Sequence, residues 1–165
     1  MKGTPRERFD AKTEQGPVPE HNPELGSCLD WTASTRAGGY GVFRPSPDIL
    51  KAAHVWNWEQ ENGPKPEHYD LDHRCRRTIY VRVDHLRLAT RAENMQNASG
   101  PQSNNRTSKH RGVCWDSRQS KWRGQVKSGP QRYVKLFTDE DEAARWVTQK
   151  RRELFTHNDI DRRIR

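Results

Sequence analysis

Between Leu71 and Ala98 the chain crowds Asp72, His73, Cys75, His85 and Asn94 among six arginines. Donors at that density restrict the stretch to short elements. Tyr69-Asp-Leu-Asp reads as a brief extended run that ends on Asp72 and His73. A loop from Arg74 to Asp84 follows, and Leu86-Arg-Leu-Ala then alternates as a strand does, with Leu86 and Leu88 on one face. Thr90 and, three residues on, Glu93 form a capping-box pattern, so a short helix is predicted over 91–98.

Those donors suit hydrolysis of a phosphodiester, which needs a base to activate water and a cation to neutralise charge on the phosphate and leaving oxygen. An imidazole with a pKa near ~6.5 serves as base at neutral pH, which singles out His73. Asn94 offers a neutral oxygen and Asp72 a charged one to Mg²⁺ or another divalent cation. Such an ion takes few protein ligands and keeps water or substrate oxygens for the rest. Arg76 and Arg77 are read as phosphate contacts, because the loop offers them only Asp84 as an internal partner.

Only 30% of the 165 residues are hydrophobic while 32% are charged, which argues for two small units rather than one large core. Residues 1–105 carry 14 basic and 14 acidic side chains, whereas 106–155 carry 13 and 6, so nearly all of the net +8 lies in the second part. That imbalance selects a polyanion as partner, nucleic acid foremost. Residues 1–25, broken by Pro17, Pro19 and Pro23, are expected to form an extended arm with at most a helical turn near Arg8 to Lys12. Cys28-Leu-Asp-Trp-Thr and Tyr40-Gly-Val-Phe flank Gly38-Gly39 as a hairpin. Ser46-Pro47-Asp48 reads as the start of a helix that stops at Asn62-Gly63-Pro64, with Ile49, Ala52, Ala53 and Trp56 on one stripe. His54, beside that stripe, is read as an ordinary partly buried or helix-surface histidine.

No apolar run approaches the ~20 residues that span a bilayer, and the N-terminus lacks the apolar core of a signal peptide. The expected location is the cytoplasm, that of a host cell if a phage encodes the chain. Three well-separated cysteines, Cys28, Cys75 and Cys114, argue against a disulfide framework.

The polar run 99–108 marks a linker. Beyond it three strand-like runs, 111–116, 121–127 and 132–137, precede a helix capped by Thr138, opened by four acids and ending near Phe155. Alternation puts Trp122, Gly124 and Val126 toward that helix and Arg123, Gln125 and Lys127 outward. On the third run Val134 and Leu136 are assigned to the core, Tyr133 and Lys135 to the outside. Arg and Gln are suited to read guanine and adenine edges in a major groove.

Asp72-His73, the strand-loop-strand-helix order, Asp84-His85-Leu86 and Ala92-Glu93-Asn94 together resemble the ββα-metal motif of HNH, or His-Me finger, endonucleases of bacteriophage and homing type. In the related His-Cys box branch the catalytic His is followed at two, seven, twelve and twenty-one residues by Cys, Cys, His and a metal-binding Asn. Cys75, Tyr80, His85 and Asn94 stand at those offsets from His73. The resemblance, which runs from about Arg8 to Ala98, implies His73 as general base, a metal on Asp72 and Asn94, and structural Zn²⁺ on Cys28, Cys75 and His85. Tyr80 stands at the fourth zinc position, so weak zinc binding or none is expected, with Tyr80 packed into the space. Further on, Arg111-Gly-Val-Cys-Trp, Lys121-Trp-Arg and Glu142-Ala-Ala are similar to an AP2 DNA-binding domain, which adds Arg111 and Arg118 as expected DNA contacts.

The chain is thus expected to be α+β: an extended arm over 1–25, a ββα-metal nuclease domain over 26–98, a linker over 99–108, a small three-stranded antiparallel sheet packed on one helix over 109–155, and a tail over 156–165. Its expected activity is metal-dependent cleavage of double-stranded DNA. The alternative is a non-catalytic, sequence-specific DNA-binding protein on a degenerate nuclease fold, a reading that Tyr80 favours. An RNA-directed role is a third. Monomer and homodimer both stay open.

Overall fold

The computed structural model describes residues 3–98, 100–101 and 104–161. It divides into two compact units, the first ending at Arg91 and the second beginning at Ala92.

The first unit starts where an extended arm was expected. Thr4 Oγ1 accepts from the Glu7 amide at 3.2 Å while Glu7 Oε2 accepts from the Thr4 amide at 2.7 Å. This capping box, with proline at the first turn, nucleates α1 (Pro5–Asp10). The helix buries Phe9 completely, and its ring lies 5.0, 5.2 and 4.7 Å from those of Trp31, Phe43 and Trp56. One aromatic among polar neighbours therefore anchors the first core. After α1, β1 (Thr13–Gln15) pairs antiparallel with β2 (Leu29–Trp31).

The hairpin expected around Gly38-Gly39 is only a loop, closed by a bridge between Thr35 and Gly41. Both glycines take positive φ, 86° and 77°, as such a tight reversal requires. The ladder forms one step later, between β3 (Val42–Ser46) and β4 (Ile49–Ala52). Ser46-Pro47-Asp48, read as a helix start, is instead at this turn, because Pro suits a turn's early position as well as a helix's first residue. The helix, α2 (Ala53–Asn62), begins after the strand, and Ile49 and Ala52 leave the expected stripe. Further on, β5 (Asp70–His73) pairs with β6 (Leu86–Ala89), setting Asp72 opposite Arg87 and His73 opposite Leu86. Trp58, Leu71 and Leu86 form a second cluster of buried side chains.

The short helix α3 (Arg91–Gln96) lies almost wholly in the second unit. Arg111 explains why: its guanidinium donates to the carbonyls of Met95, Gln96 and Ala98 at 2.7, 2.8 and 2.5 Å, satisfying groups that a helix end leaves open. The expected sheet is present as β7 (Val113–Asp116), β8 (Lys121–Ser128) and β9 (Gln131–Phe137), all antiparallel. Across it lies α4 (Glu140–Leu154), whose Ala143 and Val147 pack with Val113 and Val126. Gly124 permits that approach, since a Cβ there would stand 3.0 Å from Trp146 and Val147. Asp139 rather than Thr138 caps α4, accepting from the Glu142 amide at 2.8 Å.

Three corrections follow in this unit. Val126 faces Tyr133 and Gly124 faces Lys135, so Tyr133 and Lys135 lie on the helix side and Val134 and Leu136 on the open face. Phe137, packed in the helix-side core, fixes that phase against the local preference of Val134 and Leu136. The expected linker lies partly outside the described residues, yet Asn105 bonds to the Val113 carbonyl and Ser108 to Glu140 at 2.6 and 2.7 Å, which folds its far end onto the unit. Of the expected tail, 162–165 lie outside the described residues, and Asp161 forms a buried pair with Arg151 at 2.7 Å. Among the described residues no helix is long and apolar enough to cross a membrane.

Candidate active site and metal centre

Alternation along β5 sends Asp72 to one face and His73 to the other, and both are buried. Asp72 Oδ2 accepts from Arg87 Nε and Nη2 at 2.9 and 2.7 Å, a pair set by their cross-strand register. His73 Nε2 lies 3.0 Å from the carbonyl oxygen of Tyr80. A carbonyl only accepts, so Nε2 carries the hydrogen and Nδ1 keeps a lone pair for a proton. Burial pushes the His73 pKa below the ordinary imidazole value, against the pull of the Tyr80 carbonyl and Asp72. The ring is therefore neutral at pH 7, the state a general base needs.

Two residues pack against this ring: His54, read from the sequence as an ordinary partly buried or helix-surface histidine, and Tyr40, assigned no role in the site from the sequence. The His54 and Tyr40 ring centroids lie 4.7 and 6.0 Å from that of His73. His54 is 6% exposed and its Nδ1 has no hydrogen-bond partner. Burial first, then His73 and Arg36, push its pKa down to about 3, so it packs against His73 without adding charge. Starting α2 at Ala53 turned His54 inward, and nothing in the apolar spacing announced it. Arg87 was also missed, although counting back from the β5–β6 register pairs it with Asp72.

A second constellation gathers Cys28, Cys75 and His85, all buried, with their donor atoms within 4.8 Å of one another. Cys28 Sγ lies 3.4 Å from His85 Nδ1. Two ligands of a tetrahedral Zn²⁺, at ~2.3 Å for sulfur and ~2.0 Å for nitrogen, stand about 3.6 Å apart, so the spacing fits. His85 Nε2 donates to the Leu25 carbonyl at 2.7 Å, which leaves Nδ1 to face the thiols. Burial, helped by Cys75, pushes the Cys28 thiol to about 12, and burial also raises Cys75. A bound cation has to displace both thiol protons.

Tyr80 is 1% exposed and packs with Cys28 and Cys75, as expected of the residue at the fourth position. Its hydroxyl has no hydrogen-bond partner. Burial pushes that hydroxyl's pKa to about 12. The Arg77 guanidinium lies over its ring at 4.6 Å. Arg76 takes a left-handed φ of 59° beside it, and Asp84 is held by Arg82 through bonds of 2.7 and 2.8 Å.

In the second unit, Asn94 sits half-buried midway along α3. Arg111 is engaged with that helix, while Arg118 is exposed in the β7–β8 turn. Arg123, Gln125 and Lys127 share the open sheet face. Tyr133 and Lys135 do not: Lys150 lies 5.9 Å over the Tyr133 ring and Lys135 lies 5.2 Å over Phe137, both on the helix side.

The family model described as HNH endonuclease matches residues 51–96, from β4 through α3. Protein 3.8 of Escherichia phage T7 is 36% identical over 101 residues, which cover 61% of this chain and 82% of that protein. No solved structure matches the chain.

Proposed function

We propose that this chain, which belongs to one family with Protein 3.8 of Escherichia phage T7 and carries an HNH endonuclease domain over residues 51–96, cuts duplex DNA by hydrolysis with His73 as general base. The observation that carries this is the bond from His73 Nε2 to the Tyr80 carbonyl, which holds a neutral ring in the tautomer whose Nδ1 lone pair is able to accept a proton. In the step itself the water proton passes to Nδ1. A bond forms from the water oxygen to phosphorus as the bond to the leaving sugar oxygen breaks, that oxygen keeping the bonding pair and taking a proton from solvent. His54 and Tyr40 limit rotation of the base, and Arg87 orients the Asp72 carboxylate.

A divalent cation of the hard, oxygen-seeking kind such as Mg²⁺, whose chemistry is to neutralise charge on the phosphate, would find an oxygen donor in the Asp72 carboxylate of the first unit; the Asn94 amide of the second is a separate candidate donor. Although weak zinc binding or none is expected from Tyr80 at the fourth position, the gathering of Cys28, Cys75 and His85 within 4.8 Å supports a structural Zn²⁺ on these three donors, just ahead of β2, in the loop and just ahead of β6. The three-stranded sheet on one helix supports an AP2-like DNA-binding role for the second unit, with Arg123, Gln125 and Lys127 on its open face.

Incubation of supercoiled plasmid with protein and Mg²⁺ tests the reading. Cleavage should fall by about 10²–10⁴ in His73→Ala, the usual contribution of a positioned base. Equal cleavage by both proteins contradicts it. The second reading, binding without cutting, is favoured by the engagement of Asp72 Oδ2 with Arg87, and gel retardation without nicking would select it.

A further inference from the structure

The open face of the second unit carries two side chains that a solvated sheet has no use for. Val134 and Leu136 are 49% and 38% exposed. They are not scattered, because the β8–β9 register places Val134 directly opposite Gln125 and Leu136 directly opposite Arg123. Each row thus sets an apolar side chain beside one able to form paired hydrogen bonds. The next row, Lys127 opposite Arg132, is doubly basic.

The polar members are held rather than loose. Arg132 Nη2 donates to Gln125 Oε1 at 2.6 Å, and Arg123 is steadied by Cys114 Sγ at 3.4 Å and by Asp116 at 3.7 Å. Beside the face runs a groove of about 990 Å³ whose walls include Arg106, Arg123, Lys127 and Arg132 and, among the described residues, no carboxylate.

We infer that this face docks in the major groove of duplex DNA and that Val134 and Leu136 read the 5-methyl groups of thymines next to the bases met by Gln125 and Arg123. The inference rests on the proposal that the second unit binds DNA, and adds the base it selects. Charge complementarity commits the occupant: the cations of the face and groove attract phosphates, and an aliphatic side chain in a polar major groove finds its apolar counterpart in the thymine methyl. An oligomeric protein partner would leave the doubly basic row without a counter-charge.

The test uses the full chain with His73→Ala, so that DNA stays intact. Duplexes selected from a random pool are resynthesised with deoxyuridine in place of thymidine, which removes only the methyl groups, and affinities are compared by fluorescence anisotropy. Each buried methyl should account for about fourfold, so losing two should weaken binding about tenfold or more. The Val134→Ser, Leu136→Ser double variant, exposed positions both, should bind the two duplexes equally and match the wild-type affinity for the deoxyuridine form.

Equal binding of both duplexes by the unsubstituted sheet overturns the inference while leaving DNA binding intact, and so does a selected pool without thymine preference. Failure to retain any duplex overturns the DNA-binding reading itself. The thymidine and deoxyuridine comparison needs no sheet variant, so a variant that fails to fold does not weaken it.

Discussion

The β5–β6 hairpin of the first unit and the β7–β9 sheet of the second are both small, antiparallel and rich in polar side chains, yet they place those side chains oppositely. In the first, Asp72, His73 and His85 are buried, with bonds to Arg87, the Tyr80 carbonyl and the Leu25 carbonyl. In the second, Arg123, Gln125, Lys127 and Arg132 stand on the face of the sheet turned away from α4. Burial with satisfied bonds fixes a ring's tautomer and orientation to within the tolerance chemistry needs. Exposure keeps a side chain available for a large ligand. The difference is what the proposed function asks for, with chemistry in the first unit and recognition in the second.

The contrast can be broken most forcefully at the buried Cys28, Cys75 and His85 proposed to hold a metal. Wild-type protein titrated with Co²⁺ should show thiolate charge-transfer absorption at one equivalent, and Cys75→Ala should abolish it with loss of a binding energy that reaches ~10 kcal/mol in small zinc domains. Absence of the band in wild type would mean that Tyr80 closes the site to metal. Phe9→Ala should lower stability by about 3–5 kcal/mol in urea unfolding, because it empties the centre of an aromatic core. Arg87→Ala should destabilise by about 3 kcal/mol, since it strips a buried carboxylate of a partner.

Acid sharpens the same contrast. His54 is pushed down to about 3 while the unfolded chain's imidazole protonates near ~6.5, so the unfolded state binds more protons between those values. Stability is full above pH 6.5 and falls by up to about 1.4 kcal/mol per pH unit below it, a slope that His54→Gln should flatten. The smallest effect separates the faces of the second sheet. Lys127→Ala should reduce the salt slope of DNA binding by about one, as loss of one phosphate contact does, whereas Lys135→Ala on the helix side should leave it nearly unchanged.

Legibility in the sequence followed the range of the forces involved. β5, β6 and α4 were readable because alternation or an acidic first turn is encoded within a few residues. Gathering Cys28 with Cys75 and His85 was implied by resemblance, and the distance of 57 residues between Cys28 and His85 made it invisible to local pattern. Phe9 was missed for a related reason: one aromatic in a polar arm has no period, and only distant Trp31, Phe43 and Trp56 make it a core residue. Ser46-Pro47-Asp48 failed because its turn and helix-start chemistries coincide. Val134 and Leu136 failed because local hydrophobicity was taken to set the strand's phase, which Phe137 and the helix decide.

The separation of chemistry from recognition is tested most directly by measuring DNA affinity and single-turnover cleavage on one duplex for His73→Ala and for Arg123→Gln combined with Lys127→Gln. His73→Ala should keep wild-type affinity and lose cleavage by about 10² or more, while the sheet variant should lose affinity and salt dependence yet cleave at near wild-type rate once saturated. Undiminished cleavage by His73→Ala, or a sheet variant that binds normally, would contradict it.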